Sequence, residues 1–300
     1  MVKKYSGVIV PMITPISSKG RIDLSAAERI TDNLIDNGTS PFVMGTTGES
    51  VSIPDQERLA FAKKVVEITN SRTLTYAGIS SNCLENSVQF VNRYFDAGID
   101  VVVAHLPNFY PLNSEMIFRY FELLADACPG PLIMYNIPAT VHHSISLEVV
   151  EKLSHHPKIA GLKDSERDIS RLEKACELFK DNVDFSFLIG WAAQSANGLR
   201  LGADGIVPST GNFIPEMFSC LYHAALKGDI KTADTLQSKT DEIAKIYQKD
   251  KTLSESLPAL KIIMNSMGLC ERYVLPPLQE PSESVCREIV DQVRASGILE

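Results

Sequence analysis

The sequence has no closely spaced pair of cysteines. Its six cysteines stand far apart, and no two of them form a C-x-x-C motif: Cys83, Cys128, Cys176, Cys220, Cys270 and Cys286. This spacing excludes a compact disulfide framework and a cysteine zinc site. Scattered thiols without partners are typical of the cytoplasm, which is where we expect this protein to be located.

The sequence also lacks an excess of positive charge. Lysine and arginine number 29 against 37 aspartate and glutamate residues, which gives a net charge of −8. An acidic chain without a basic stripe argues against nucleic acid or an anionic membrane as its main partner. A small anionic substrate remains compatible with this charge, because a single site can be locally positive.

Long apolar runs are missing as well. None approaches the roughly 18 residues that a membrane span requires. The first apolar segment, residues 7–13, is short and lacks the small-residue cleavage site of a signal peptide, so it predicts a buried strand.

The histidines do not have the spacing of metal ligands. His142 and His143 are adjacent, as are His155 and His156, and neither pair has the i, i+4 spacing or the neighbouring carboxylates of a metal site. We therefore expect no metal. A role for His142 in shaping a loop at the substrate site remains open.

Short apolar segments alternate with longer amphipathic segments along the chain. The alternation predicts eight strands near 7–13, 41–44, 74–78, 101–105, 131–135, 158–162, 185–189 and 205–207. It predicts helices near 26–38, 54–70, 84–97, 114–126, 146–154, 167–180, 191–201 and 213–227. Strands that are apolar throughout indicate a parallel sheet covered on both faces.

Eight such units match an α/β fold of the (β/α)8 TIM barrel type. The alternative, a doubly wound open sheet, is disfavoured because no G-x-G-x-x-G follows the first strand. Residues 1–227 are predicted to form the barrel. Residues 228–300 are predicted to form a C-terminal helical region packed on it, with helices near 229–249, 255–268 and 282–296.

Some predicted helices carry residues that are typical of helix starts or helix ends. Ser25 with Glu28 has the spacing of a capping box for the first helix, and Asp23 is the alternative cap. Gly38, Gly98 and Gly202 stand where helices should end.

Lys163 ends the sixth predicted strand, and catalytic groups of such barrels lie at the carboxyl ends of strands. Burial disfavours the ammonium form and yields the neutral amine that a Schiff-base nucleophile needs. The alternative is a structural lysine that reaches solvent or pairs with Asp164.

Tyr135 ends the fifth predicted strand, 28 residues before Lys163 (163 − 135), which is one strand–helix unit. The two side chains should therefore lie at the same height on neighbouring strands, about 4.8 Å apart. A phenol at that place can transfer protons for the chemistry at the amine. The alternative is an amphipathic core tyrosine.

The second predicted strand leads into G-T-T-G-E at residues 45–49. Gly45 and Gly48 should let the backbone turn sharply and expose consecutive N–H groups beside the hydroxyls of Thr46 and Thr47. Such an arrangement suits a small carboxylate. Taken alone, the segment would only indicate a turn.

These motifs together resemble the dihydrodipicolinate synthase / N-acetylneuraminate lyase family. The resemblance covers nearly the whole chain and lies in G-T-T-G-E at 45–49, Y-N-I-P at 135–138, G-L-K-D at 161–164, G-A-D-G at 202–205 and L-P-P-L at 275–278. It implies pyruvate-dependent class I aldolase or lyase chemistry on a (β/α)8 barrel with a helical extension. It also implies a homotetramer.

The resemblance assigns roles to individual residues. It implies that Lys163 forms the Schiff base with pyruvate, so that no separate cofactor is needed, that Tyr135 relays protons and that Thr46 is its hydroxyl partner. Thr47, in the turn that Gly45 begins, matches a contact to the pyruvate carboxylate. Val207 matches a position that lines the pyruvate pocket.

The chain also departs from the family. Thr140 stands where the synthases have an arginine for the carboxylate of the aldehyde substrate. Gly190 is followed by W-A-A, where sialic-acid lyases have an aromatic residue and two acids. The interface tyrosine of the family aligns with Phe109, with Tyr110 adjacent. The lysine-feedback site of some synthases is unsupported, since Asn86 and Asn108 replace a glutamate and a tyrosine.

The leading hypothesis is a pyruvate-dependent carbon–carbon lyase or aldolase that acts on a 2-keto-3-deoxy type acid. The acceptor half of its site is expected to face Thr140, Gly190, Trp191, Ala192, Ala193 and Ser209. That set favours a small, weakly charged acceptor. The first alternative is a 4-hydroxy-tetrahydrodipicolinate synthase. The second is a barrel that binds 2-oxo acids but has weak catalysis.

Overall fold

Eight parallel strands close into a barrel in the computed structural model, which describes residues 3–298. The strands are β1 (Gly7–Pro11), β2 (Ser40–Val43), β3 (Tyr76–Gly78), β4 (Val101–His105), β5 (Leu132–Asn136), β6 (Ile159–Asp164), β7 (Ser186–Ile189) and β8 (Gly205–Ile206). Each strand pairs with its neighbour in chain order, and β8 pairs with β1. The predicted (β/α)8 barrel is confirmed, and the open sheet was the wrong alternative.

The helices of the barrel surround this sheet. They are α1 (Leu24–Asp36), α2 (Asp55–Thr69), α3 (Leu84–Asp96), α4 (Ser114–Asp126), α5 (Pro138–Val141), α6 (Leu147–Leu153), α7 (Ile169–Phe179), α8 (Ser195–Arg200) and α9 (Pro215–Leu226). Three more helices follow: α10 (Ile230–Gln248), α11 (Leu253–Ser266) and α12 (Glu283–Ala295). The short helix α5 was not predicted from the sequence. The helix predicted over 191–201 is a 3-10 turn, Ala192–Gln194, followed by α8.

Aspartate, not serine, caps the first helix. The Asp23 carboxylate accepts hydrogen bonds from the amides of Ser25 and Ala26, so the predicted Ser25–Glu28 capping box is wrong. A complete capping box is found instead at α11, between Thr252 and Glu255. Glycines do end helices where the sequence predicted, with φ values of +72°, +93° and +102° at Gly38, Gly98 and Gly202.

The last three helices lie against one side of the barrel. Helix α10 packs on α8 and α9, and α11 packs on α10 and α12. Two side chains of this region reach the loops at the carboxyl end of the barrel: Lys261 pairs with Glu49, and the Tyr247 hydroxyl lies 2.8 Å from the Ser209 hydroxyl. Among residues 3–298, no helix is both long and apolar enough to cross a membrane.

Strands β6 and β7 approach so closely that only glycine fits at residue 161. A Cβ built there would lie 2.4 Å from the carbonyl oxygen of Ser186. The first glycine of the G-L-K-D motif is therefore a packing requirement of the barrel, two residues before Lys163.

Candidate active site

Lys163 and Tyr135 face each other across β5 and β6. They are register partners in the sheet, and the Lys163 ammonium nitrogen lies 3.9 Å from the centre of the Tyr135 ring. The Phe42 ring is 4.9 Å from the same nitrogen. The predicted equal height of Lys163 and Tyr135 is confirmed.

The Lys163 amine is enclosed without a counter-ion. The residue is 4 % exposed, and within residues 3–298 its nitrogen has no carboxylate partner. Asp164 instead pairs with Arg171, at 2.7 Å, so both structural alternatives for Lys163, solvent and Asp164, are excluded. Burial lowers the pKa of Lys163, and the Tyr135 hydroxyl opposes this shift only in part. The site thus favours a neutral nucleophilic amine.

An internal cavity adjoins the amine. Its lining consists of one side chain from each of seven strands and the residue after β8: Ile9, Phe42, Tyr76, Val103, Ile133, Lys163, Leu188 and Val207. Val207, predicted to line the pyruvate pocket, lies in this lining together with Lys163. The surroundings are almost entirely apolar, which is the physical cause of the lowered pKa of the lysine.

The loop after β2 turns sharply, but not at its glycines. The left-handed residues are Met44 and Glu49, with φ values of 55° and 54°, so the predicted role of Gly45 and Gly48 in the turn is wrong. These glycines provide space instead. A Cβ on Gly45 would lie 3.1 Å from the Phe42 ring, and one on Gly48 would lie 3.0 Å from a main-chain carbonyl oxygen.

The two threonines of this loop present unpaired amides. Within the described chain, the backbone N–H groups of Thr46 and Thr47 donate no hydrogen bond. Thr47 is buried and Thr46 is half-buried. Consecutive donors of this kind can hold a carboxylate. The Thr46 hydroxyl makes no hydrogen bond to Tyr135, so its role as partner of Tyr135 stays a prediction.

Glu49 ties the end of the loop after β2 to the C-terminal region. Its side chain is 1 % exposed, forms an ion pair with Lys261 of α11 and accepts a hydrogen bond from the Leu275 amide at 3.0 Å. Lys261 also donates to the Tyr273 carbonyl oxygen at 2.8 Å. The C-terminal region therefore holds the loop that carries Thr46 and Thr47. The sequence alone did not indicate this link.

The remaining predicted substrate residues are scattered around the mouth of the barrel. Thr140 lies in α5, half-buried, with its hydroxyl 3.4 Å from the Ile137 carbonyl oxygen. Gly190 follows β7, and a Cβ there would lie 2.0 Å from the Ser165 hydroxyl oxygen. The Ser209 hydroxyl bonds to Tyr247, so its predicted contact with substrate competes with an existing contact.

A polar network behind β5 and β6 was not predicted. Asp164 receives hydrogen bonds from the Asn136 amide at 2.9 Å and from Arg171 at 2.7 Å. Asn136 also donates to Glu166 and accepts from the Ile145 amide. Burial raises the pKa of Asp164, and the Arg171 charge opposes that shift. The network ties the Y-N-I-P and G-L-K-D motifs to the loop that follows α5.

Trp191 lies with this network and not with Lys163. Together with Asp164, Arg171 and Leu172 it lines a second cavity, between β6, β7 and α7. The expectation that the indole faces the acceptor half of the substrate receives no support from this position.

Two histidines of the adjacent pairs make structural contacts. His143 donates from Nε2 to the Tyr110 carbonyl oxygen at 3.0 Å, and His156 lies 3.2 Å from Asp126. In the described part of the chain, no group of three or more histidine, cysteine, aspartate or glutamate side chains could hold a metal ion. Phe109 and Tyr110 are exposed, 76 % and 70 %, at the barrel mouth.

The fold and the site define a class of enzyme. The family model of the dihydrodipicolinate synthetase family matches residues 4–296, and the chain belongs to that family. It is a pyruvate-dependent aldolase or lyase on a (β/α)8 barrel.

Relatives of this chain are named for different reactions. A protein named "Probable 2-dehydro-3-deoxy-D-pentonate aldolase", from Escherichia coli, is 29 % identical over 99 % of both chains. A 4-hydroxy-tetrahydrodipicolinate synthase from Pseudoalteromonas atlantica is 30 % identical over 98 % of this chain and 99 % of its own. The solved dihydrodipicolinate synthase of Bacteroides thetaiotaomicron is 29 % identical, with a TM-score of 0.93 over 98 % of this chain and 100 % of that one.

Proposed function

We propose that the protein cleaves or forms the carbon–carbon bond of a 2-keto-3-deoxy acid through a Schiff base between Lys163 and the pyruvate half. The observation that supports this most is the buried Lys163 amine, without a carboxylate partner and 3.9 Å from the Tyr135 ring. No separate cofactor is required, because the protonated imine itself accepts the electron pair of the breaking bond.

The pyruvate carboxylate is proposed to lie on the Thr46–Thr47 turn, whose two amides have no other partner in residues 3–298. Tyr135 would transfer protons when the amine adds to the keto carbon and when water leaves. Its hydroxyl is 3.5 Å from the Ser165 hydroxyl, the start of a path for protons away from the amine.

The acceptor half is proposed to be small and without a second carboxylate. Thr140 offers a hydroxyl where a synthase would offer a guanidinium, and Ala192 and Ala193 offer no acids for a polyol. One relative is named as a probable aldolase of a 2-dehydro-3-deoxy pentonate, and this name is consistent with the proposed substrate class.

Borohydride trapping tests the Schiff base. Incubation with pyruvate and borohydride should leave a covalent adduct on Lys163 in a peptide map. Lys163→Met should give none, whereas the exposed Lys152→Met should give as much as the unaltered protein. An adduct elsewhere, or an equal adduct in Lys163→Met, would exclude this mechanism.

Pyruvate release from a panel of acids tests the substrate class. Short 2-keto-3-deoxy acids and 4-hydroxy-2-oxo acids should be cleaved most efficiently, and sialic acid poorly. If sialic acid ranked first, the inference from Ala192 and Ala193 would be wrong.

The second candidate is synthesis of 4-hydroxy-tetrahydrodipicolinate, favoured by relatives of that name. Against it stands Thr140, since a missing charge-assisted contact is worth about 1.5–3 kcal/mol, or at least tenfold in rate. A coupled assay with aspartate semialdehyde that gave higher kcat/KM than every keto acid would reverse the ranking.

We further propose a cytoplasmic homotetramer that takes small 2-oxo acids and aldehydes as its partners. Six unpaired thiols support the location, and the exposed Phe109 and Tyr110 support contact with a second copy. Sedimentation of the purified protein gives the oligomeric state directly.

A further inference from the structure

His105 lies in one row with Lys163 and Tyr135. It ends β4 and is the register partner of Tyr135, which in turn is the register partner of Lys163. Val103, two residues earlier in β4, lines the cavity beside Lys163, so alternation along the strand directs His105 inward as well. Its ring packs against the edge of the Tyr135 ring, with the centres 6.3 Å apart.

The His105 ring has a defined tautomer. Its Nδ1 is 2.8 Å from the Leu106 carbonyl oxygen, and because a carbonyl oxygen only accepts, Nδ1 must carry the hydrogen. In the neutral ring, Nε2 then holds a lone pair, and no described residue hydrogen-bonds to it. The His105 amide donates to the Ser80 hydroxyl at 2.8 Å, which fixes the backbone. The ring is therefore a positioned base.

Acid–base groups lie on only one side of Lys163 in this row. On the other side, its register partner is Leu188, whose own partner is Gly205, and neither can transfer a proton. Neighbouring strands are about 4.8 Å apart, so His105 lies roughly 10 Å from Lys163 along the row, with Tyr135 between them. Within this row, a keto acid attached to Lys163 would therefore meet acid–base groups by extending over Tyr135 towards β4.

We propose that His105 is a catalytic residue that accepts the proton of the substrate's C4 hydroxyl during cleavage and returns it during condensation. The proposal rests on the proposed function. It divides the proton transfers: Tyr135 acts at C2, beside the amine, and His105 acts at C4. Phe109, exposed and without a hydroxyl, offers no group for this step.

The step balances. Nε2 of His105 takes the hydroxyl proton, and the O–H electron pair becomes the second bond of the C4 carbonyl. The C3–C4 bond breaks, and its electron pair forms the C2–C3 double bond of the enamine as the iminium nitrogen becomes neutral. Condensation runs these movements in reverse.

The charge state of His105 fits this role in the cleavage direction. Burial lowers the pKa of His105, and Arg58 on α2 and the protonated form of Lys163 on β6 lower it further, whereas the bond to the Leu106 carbonyl opposes them. The Tyr135 ring on β5 packs against the His105 ring. The ring should therefore be a neutral base at neutral pH.

His105→Asn separates the two sets of proton transfers. With pyruvate alone, the borohydride adduct on Lys163 and the exchange of C3 hydrogens with deuterium oxide should stay within about twofold of the unaltered protein. Pyruvate release from a 2-keto-3-deoxy acid should fall by about 10²- to 10⁴-fold in kcat. His155→Gln, on an exposed side chain at the end of α6, is the control.

Two outcomes would overturn the proposal: full cleavage activity in a folded His105→Asn variant, or an equal loss of C3 exchange and cleavage in that variant. His105→Gln replaces the asparagine variant if that one does not fold, and the same two outcomes apply to it. If the unaltered protein forms no adduct with pyruvate, the proposed function itself has failed, which is a different result.

Discussion

Tyr135 and Lys163 are register partners only because β6 carries an irregularity. Leu132 pairs with Ile159, but the next residue of β5, Ile133, pairs with Gly161, so β6 contains one extra residue. Without this shift Tyr135 would face Leu162, and Lys163 would lie on the opposite face of the sheet, away from the cavity. The bulge therefore places the Lys163 side chain beside Tyr135 and the cavity.

Removal of the Tyr135 hydroxyl should slow catalysis without unfolding the barrel. Loss of a proton-transfer group costs about 10²- to 10⁴-fold in rate, so Tyr135→Phe should lower kcat by that factor. Tyr222→Phe is the matched control, since its hydroxyl bonds to the Asp204 carbonyl at the other end of the barrel. Steady-state pyruvate release measures both, and equal activity of the two variants would contradict the role of Tyr135.

Arg171 should contribute far more to stability than Arg200. Arg171→Gln leaves the buried Asp164 carboxylate without its charge partner, a loss of about 3–5 kcal/mol. Arg200 pairs with Asp234 at the surface, and Arg200→Gln should change stability by no more than about 1 kcal/mol. Urea unfolding at neutral pH compares the two. Similar midpoints would mean that water already compensates the Asp164 charge.

The Lys261–Glu49 pair should affect the affinity for pyruvate through the loop it holds. Lys261→Met leaves Glu49 buried without a counter-ion, which should destabilise the protein by about 3–5 kcal/mol and loosen the Thr46–Thr47 turn. We expect the KM for pyruvate to rise several-fold in condensation assays. Lys245→Met, at an exposed pair with Glu242, should change neither stability nor KM. A folded Lys261→Met variant with normal KM would refute the coupling to the pyruvate site.

The pH dependence of adduct formation should report the lowered pKa of Lys163. Only the neutral amine attacks a keto carbon, and that form predominates above the pKa. Because burial shifts the pKa downward from the ordinary 10.5, adduct formation should rise with pH and level off well before 10.5. Trapping rates with cyanoborohydride across the pH range measure the midpoint. A rate that follows a simple alkylamine to the end of the range would show that the site leaves the lysine unperturbed.

Several features of the fold and the site were predictable because they depend on local patterns. Apolar segments alternating with amphipathic ones indicate a covered parallel sheet, and eight such units match a closed barrel. The spacing of Tyr135 and Lys163 indicated neighbouring strand ends, since one strand–helix unit separates them. Helix ends at Gly38, Gly98 and Gly202 followed from the conformational freedom of glycine.

Other features depend on contacts between distant parts of the chain. Lys261 is more than 200 residues from Glu49 in the sequence (261 − 49 = 212), and nothing in either segment predicts that the two will share one buried site. The same holds for Tyr247 against Ser209, which are 38 residues apart. Charged side chains are usually exposed, so only the tertiary structure showed that Glu49 and Lys261 are buried.

Periodicity and motif spacing alone thus predicted the class of fold and the neighbouring positions of Tyr135 and Lys163, because these are properties of single units and their order. The tertiary structure decided which side chains share the space around the amine. In that structure the His105 ring packs against the Tyr135 ring, and Trp191 lines a cavity separate from the one beside Lys163. Met44 and Glu49, not the glycines of the loop, adopt the left-handed conformation. Such outcomes depend on register and close packing, in which a shift of one residue reverses the face on which a side chain lies.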